Sequence, residues 1–312
     1  MRIIFMGSAE FACPAVEALR LSGHDLVACV TQPDRPKGRH LKLTPCPVKA
    51  LAEARGIPVQ TPERIAEPSA LASVESLHAD IIVVAAYGQY LPSRLLAMPR
   101  VACINIHPSL LPKYRGAAPI QWAVASGDTM TGVTILHVSK QMDAGDLIVQ
   151  ERYPIGDEDT AGSLEPKLAE FGAELLLRAI AQLEQGTAAR LPQEEGQVTW
   201  ARKLDKEDGR LDWSLPAEQV RHHIRGFQPW PGAFTMIGHA RLKVLVARVE
   251  PGSGEPGRVL ELGGEGPLVA CGAQALRLLE VQPEGRPAMP GRAYVNGCPL
   301  VPGQLLPGKL SA

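Results

Sequence analysis

Short apolar runs alternate with amphipathic stretches through the first half of the chain. The runs are rich in Val and Ile and predict strands, which we place at residues 3–6, 26–31, 57–60, 81–85, 101–107, 133–138 and 147–153. Apolar positions recurring every three or four residues predict helices at 13–21, 47–55, 118–126 and 163–185. This alternation predicts an α/β fold, a Rossmann-like mostly parallel sheet with helices on both faces.

The pattern changes in the second half of the chain. Residues 191–215 are polar and lack apolar periodicity, so we interpret them as a linker. Beyond a helix at 217–226, the Pro/Gly-rich turns separate short strands at 240–249, 258–262, 268–271 and 275–282. This spacing predicts a small OB-like β-barrel. We therefore predict an α/β domain at 1–190, a linker at 191–215 and a C-terminal β-barrel domain at 216–312.

Composition places the chain among ordinary globular proteins. The 312 residues suggest about two domains, and 45% are hydrophobic against 21% charged. Because no apolar run is long enough to span a bilayer and no signal-peptide pattern opens the chain, we expect a cytoplasmic protein. The six cysteines form no paired spacing, which favours reduced core residues. A net charge of −1 means that nucleic-acid binding would depend on local patches.

One of the predicted strands, at 101–107, ends in polar side chains. Side chains alternate along a strand, so Asn105 and His107 share a face just before Pro108. Ligands of open α/β sheets bind at the carboxyl ends of strands, which makes this amide and imidazole candidate site residues. Both could instead have purely structural roles. A turn at 141–146 could bring Asp143 or Asp146 to the imidazole.

Two other kinds of site are poorly supported. Gly7 follows the first strand, but the remaining glycines of a dinucleotide-binding motif are missing, so it is better explained by a tight turn. The histidines lack metal-ligand spacing, and the adjacent His222 and His223 cannot face one ligand from a helix. We predict no metal site.

The motifs Asn-Ile-His-Pro-Ser-Leu-Leu-Pro at 105–112 and Met-Asp-Ala-Gly-Asp at 142–146 resemble those of the folate-dependent formyltransferases. The resemblance covers nearly the whole chain. Within that family it is strongest to the members that act on methionyl-initiator tRNA, through segments at 31–39, 114–121, 206–209 and 229–232.

The resemblance implies transfer of a formyl group from 10-formyltetrahydrofolate to the free amino group of methionyl-initiator tRNA. It implies that Asn105 donates a hydrogen bond to the formyl oxygen and that protonated His107 stabilises the developing negative charge. Asp143 would position His107 and help to relay protons. Direct attack by the amine is consistent with the lack of an evident covalent nucleophile.

Two further groups of residues take their roles from the same resemblance. Those expected to bind the folate donor are Ser109, Leu110, Leu111, Pro112, Tyr87 and Gly88. Those expected to bind tRNA phosphates lie in an exposed loop and are Arg35, Lys37, Arg39 and Lys42. Cations that could form a second phosphate-binding surface are Arg202, Lys203, Lys206, Arg221, Arg225, Arg241 and Lys243.

Three alternatives stay open on sequence alone. An amino-sugar nucleotide could be the formyl acceptor, since such enzymes share the Asn, His and Asp motif. Water as acceptor would make the protein a formylfolate hydrolase. A non-catalytic nucleic-acid-binding protein would need only the basic loop, but it would not need Asn105, His107 and Asp143 together. We expect a monomer in each case.

Overall fold

The computed structural model describes residues 1–37, 41–297 and 300–308. Its strands are β1 (Arg2–Gly7), β2 (Asp25–Val30), β3 (Arg35–Lys37), β4 (Lys42–Thr44), β5 (Val59–Gln60), β6 (Ile81–Ala85), β7 (Ala102–His107), β8 (Arg115–Gly116), β9 (Met130–His137), β10 (Leu147–Pro154), β11 (Trp200–Ala201), β12 (Phe234–Ile237), β13 (Ala240–Glu250), β14 (Val259–Gly263), β15 (Gly266–Ala270), β16 (Ala275–Pro283) and β17 (Met289–Pro290). Its α-helices are α1 (Cys13–Leu21), α2 (Pro47–Ala54), α3 (Pro68–Glu75), α4 (Ser93–Leu96), α5 (Pro119–Ala125), α6 (Ala161–Gln185), α7 (Ala217–Gly226) and α8 (Gly291–Val295).

The chain forms two compact units. The first comprises Met1–Gly116, Met130–Pro154 and Glu165–Ala201, and the second comprises Ala117–Thr129, Ile155–Leu164 and Arg202–Ala312. Of the predicted linker, residues 191–201 therefore fall in the first unit and 202–215 in the second. The boundaries at 1–190, 191–215 and 216–312 stay a prediction.

The first unit is built on a seven-stranded sheet in the order β10-β9-β7-β6-β1-β2-β5. Neighbouring strands pair in parallel along β5-β2-β1-β6-β7, whereas β9 runs antiparallel to both β7 and β10. The central strand β6 is buried along its whole length, as expected for a sheet covered on both faces. The predicted α/β fold class is confirmed, and β7 ends between a parallel and an antiparallel neighbour.

Short elements in this unit depart from the sequence prediction. Helices α3 and α4 were not predicted, and the expected loop after β2 contains the antiparallel hairpin β3–β4. Inside the predicted linker, β11 pairs in parallel with β8. Apart from α3, these elements are two to four residues long, too short to show a period, so their formation depends on the surrounding structure.

The second unit contains an antiparallel sheet of six strands, β12 to β17. It is a curled half-barrel, which confirms the predicted C-terminal β architecture. Buried Trp213 and Leu276 belong to its core, and α7 has the bounds that its periodicity predicts. Helix α5 also groups here, where Trp122 packs edge-on against Phe227 with ring centroids 5.3 Å apart.

Candidate active site

Strand β7 carries Asn105 and His107 at its carboxyl end. The apolar residues before them are buried, Asn105 is partly exposed, and His107 is only 4% exposed. Since the two residues are separated by one position, both side chains project from the same face. The strand therefore presents an amide and an imidazole side by side.

Asp143 lies on the turn between β9 and β10 and meets both of them. The Asn105 Nδ2 donates to Asp143 Oδ1 at 3.4 Å, and His107 Nδ1 lies 3.7 Å from Asp143 Oδ2. The Gly116 amide donates to the same Oδ2 at 2.9 Å. Asp146, the other aspartate considered from sequence, lies 3.9 Å from Arg190 instead. The structure thus brings Asn105, His107 and Asp143 together.

Both ring nitrogens of His107 face oxygen atoms. Nε2 lies 2.9 Å from the Tyr114 carbonyl, and Nδ1 faces the Asp143 carboxylate. A carbonyl only accepts hydrogen bonds, so Nε2 donates to Tyr114. The 3.7 Å separation between Nδ1 and the Asp143 carboxylate is too long for a direct hydrogen bond. The imidazole is therefore held by a hydrogen bond at Nε2, with Nδ1 directed at the carboxylate.

The turn after β7 is fixed by a buried network. Thr134 Oγ1 donates to the Ser109 carbonyl at 2.6 Å and accepts from the Leu111 amide at 3.3 Å. Ser109 Oγ donates to the Lys113 carbonyl at 2.7 Å. Ser109 and Leu111 are buried, whereas Leu110 and Pro112 keep partial exposure. Of the four residues predicted to bind the donor here, only Leu110 and Pro112 present appreciable side-chain surface.

Tyr87 and Gly88 follow β6 and differ in exposure. The Tyr87 ring belongs to the core with Met6 and Val84, and its hydroxyl has no hydrogen-bond partner within the described part of the chain. Burial raises the pKa of Tyr87 to about 12. Gly88 is exposed with a φ of +83°, a conformation that side chains disfavour. Gly88 therefore offers open backbone beside the strand end, while the Tyr87 ring faces the core.

Of the residues predicted to bind tRNA, Arg35, Lys37 and Lys42 lie on the β3–β4 hairpin. Arg35 and Lys42 are exposed, and the backbone of Lys37 pairs with that of Lys42. Arg35 also lies 3.5 Å from Glu63. Arg39 lies outside the described residues. Two exposed leucines flank Lys42 in the sequence: Leu41 is 70% exposed and Leu43 is 65% exposed.

The cations of the expected second phosphate-binding surface differ in their surroundings. Arg202 pairs with Asp208, and buried Arg225 donates to the Gly156 and Asp159 carbonyls. Burial lowers the pKa of Arg225, with Arg221 as a further cause. Arg221 and Arg241 also contact carboxylates. Among these arginines, Arg225 lacks the exposure that a phosphate contact needs, which spacing along the sequence cannot reveal.

Sequence reasoning missed several groups that shape the site. Tyr114 and Gly116 act through backbone atoms, which no side-chain pattern reveals. Gln193 donates to two carbonyls of the Asp143 turn and accepts from buried Arg115. Gln193 lies in the polar stretch taken for a linker. Gln193 lies 50 residues beyond Asp143, and nothing in the sequence links the two residues.

Among the described residues, no group of His, Cys, Asp and Glu side chains could hold a metal ion. Nor is any described helix both long and apolar enough to cross a bilayer.

Comparison with known proteins covers both halves of the chain. A formyl transferase family model matches residues 1–180, and a model of the formyl transferase C-terminal domain matches residues 203–299. The chain belongs to the formyl transferase family. The resemblance inferred from the motifs around Asn105 and Asp143 is therefore confirmed.

Curated relatives in the family are similar over nearly their full length. The methionyl-tRNA formyltransferase of Geobacter metallireducens is 44% identical and covers 97% of each chain. That of Moorella thermoacetica is 44% identical over 98% of this chain and 99% of its own. The protein of the same name from Anaeromyxobacter dehalogenans is 46% identical over 95% of this chain and 97% of its own.

Two solved structures share the fold of this chain. The sugar 3N-formyl transferase WlaRD superposes with a TM-score of 0.67 at 16% identity, over 92% of this chain and 99% of its own. HypX from Aquifex aeolicus gives a TM-score of 0.61 at 21% identity over 95% of this chain. This chain spans about half of the HypX chain, 47%. At these identities the likeness concerns architecture alone.

Proposed function

We propose that this protein transfers the formyl group of 10-formyltetrahydrofolate to the free amino group of methionyl-initiator tRNA, for translation initiation. The observation that carries the proposal is the 44% identity to a methionyl-tRNA formyltransferase over 97% of both chains. Because the similarity extends through both family domains, it includes the parts that distinguish acceptors as well as those that handle the formyl group.

In the proposed reaction the amine nitrogen attacks the formyl carbon, and the oxygen gains negative charge. Asn105 Nδ2 carries two N–H groups, of which one donates to Asp143 at 3.4 Å and the other would donate to this oxygen. His107 supplies positive charge beside it. Removing one such donor typically costs ~10²–10³ in rate. The bond from carbon to the folate nitrogen then breaks.

Proton balance gives Asp143 its role. The attacking amine loses one proton and the departing folate nitrogen gains one, so no net proton is consumed. Asp143 lies 3.7 Å from His107 Nδ1, and catalytic contacts of this kind commonly shorten when substrate binds. We propose that Asp143 positions the imidazole and helps to relay the proton from the attacking amine to the departing folate nitrogen.

The remaining assignments are proposals of the same kind. The residues proposed to bind the folate donor are Ser109, Leu110, Leu111, Pro112, Tyr87 and Gly88, of which Gly88, Leu110 and Pro112 are the accessible ones. Arg35, Lys37, Arg39 and Lys42 would bind tRNA phosphates. We place catalysis in residues 1–190 and further tRNA contact in 216–312. We further propose that the protein acts as a cytoplasmic monomer.

A formyl-transfer assay with competing acceptors tests the function. The purified protein and 10-formyltetrahydrofolate are mixed with methionyl-initiator tRNA, methionyl-elongator tRNA or an amino-sugar nucleotide. We expect rapid formylation of the initiator tRNA alone. Preferential formylation of the sugar, or release of formate without transfer, would overturn the proposal.

A further inference from the structure

The side-chain amide of Gln193 uses its full hydrogen-bonding capacity in the structure. Its Nε2 donates to the carbonyls of Asp143 and Gly145, both at 2.8 Å. Its Oε1 accepts from Arg115 Nε at 3.0 Å and from Arg115 Nη2 at 2.9 Å. Since an amide offers two N–H donors and two acceptor lone pairs, Gln193 is held in one orientation.

The turn that Gln193 holds has an unfavourable backbone. Asp143 has a φ of +51°, a left-handed conformation that persists in non-glycine residues only where the surroundings impose it. At Gly145 a Cβ atom would lie 1.7 Å from the His137 carbonyl oxygen, so the turn packs directly on β9. Two hydrogen bonds from one rigid amide supply the restraint that this conformation needs.

Strand β8 restrains Asp143 by two routes. Arg115 is 3% exposed in its side chain and fixes Gln193, which holds the Asp143 backbone. The next residue, Gly116, donates its amide to the Asp143 carboxylate at 2.9 Å. The main chain and the carboxylate of Asp143 are thus tied to adjacent residues of the same strand.

We propose that Gln193 is a positioning residue for the reaction. By holding the Asp143 and Gly145 carbonyls, it sets where the Asp143 carboxylate lies relative to His107 and Asn105. This inference rests on the proposed catalytic role of those three residues. Gln193 itself touches none of the reacting atoms.

Two substitutions test the role while protecting the fold. Gln193→Glu retains an acceptor for buried Arg115 but removes both donors to the turn, whereas Gln193→Leu removes donors and acceptor. A displacement of ~1 Å in a catalytic group can cost ~10² in rate, so we expect kcat to fall ~10–10²-fold with the donor KM within ~3-fold. The control is Glu195→Gln. Glu195 also pairs with Arg115, but its side chain is 72% exposed, so this substitution should keep kcat within ~2-fold.

Two further measurements separate positioning from general damage. In an Asp143→Ala background, Gln193→Glu should lower kcat little further, because the effects of two residues that act through one another are not additive. Hydrogen exchange at the Gly116 amide should rise in the Gln193 variants and stay unchanged in Glu195→Gln. Full additivity with Asp143→Ala, or unchanged Gly116 exchange, would overturn the proposal. The exchange result does not depend on the acceptor, so it remains informative even if methionyl-initiator tRNA is not the substrate.

Discussion

The turn that bears Asp143 and the β3–β4 hairpin are organised in opposite ways. The Asp143 side chain is 14% exposed, its carboxylate accepts from Gly116, and its carbonyl accepts from Gln193. On the hairpin, by contrast, Arg35 and Glu63 are 64% and 69% exposed in their side chains and lie 3.5 Å apart. One region is fixed by many short contacts, and the other presents charge to solvent.

This difference matches the two tasks proposed for the protein. Stabilising a developing charge requires groups that are already in place, because any reorganisation during the reaction raises the barrier. Binding phosphates requires accessible cations, and an exposed ion pair such as Arg35 with Glu63 contributes at most about 1 kcal/mol. Such a pair gives up its arginine to a phosphate at little cost.

The strongest test removes the chemical groups at the β7 end. We expect Asn105→Ala and His107→Ala to lower kcat at least ~10²-fold, because each loses a group proposed to stabilise the oxyanion. Circular dichroism should show a preserved fold, and affinity for tRNA should not change. Asp146→Asn is the matched control, since Asp146 points to Arg190 and should be nearly neutral. Near-normal turnover of either alanine variant would exclude the mechanism.

A second test disturbs the turn without touching its side chains. Gly145→Ala should lower kcat on the order of 10-fold or more and destabilise the fold by ~1–3 kcal/mol, because the added Cβ would meet the His137 carbonyl oxygen at 1.7 Å. Steady-state kinetics and thermal unfolding measure the two effects. The same substitution at Gly196, where a Cβ would meet nothing within 4 Å, should change neither. Equal behaviour of the two variants would contradict the close packing of the turn.

Substituting the cations predicted to bind tRNA should weaken tRNA binding and leave the chemical step unchanged. Combining Arg39→Ala with Lys42→Ala should raise the KM for tRNA on the order of 10-fold and leave binding of the folate donor intact. Each lost phosphate contact should also reduce the slope of log affinity against log salt by roughly 0.7–0.9. Arg178→Ala on α6 removes one charge from a pair with Glu151 and is the control. An unchanged salt slope in the hairpin variant would remove these cations from tRNA binding.

The smallest effect is expected at Tyr87. Its hydroxyl is buried with no partner among the described residues, so Tyr87→Phe removes a polar group that burial disfavours. We expect the melting temperature to stay the same or rise slightly and the donor KM to stay within ~2-fold. A large rise in KM would show that the hydroxyl turns outward to the folate when it binds.

Elements with a clear hydrophobic pattern could be predicted closely from the sequence. The strand at 81–85 and the helices at 13–21 and 217–226 have the bounds that their patterns predict. The tip of β7 was identified because side-chain alternation alone places Asn105 and His107 on one face. The hairpin β3–β4 and helix α4 were missed, since three or four residues show no period.

The sequence by itself determined the two architectures, the family and the pairing of amide and imidazole on β7, because these depend on local periodicity and contiguous motifs. The tertiary structure alone decided that Asp143 and not Asp146 meets His107, and that Gln193 and Arg115 hold its turn. These contacts join residues 36 to 78 positions apart. Their partners are chosen by how strands pack in space, which spacing along the chain does not encode.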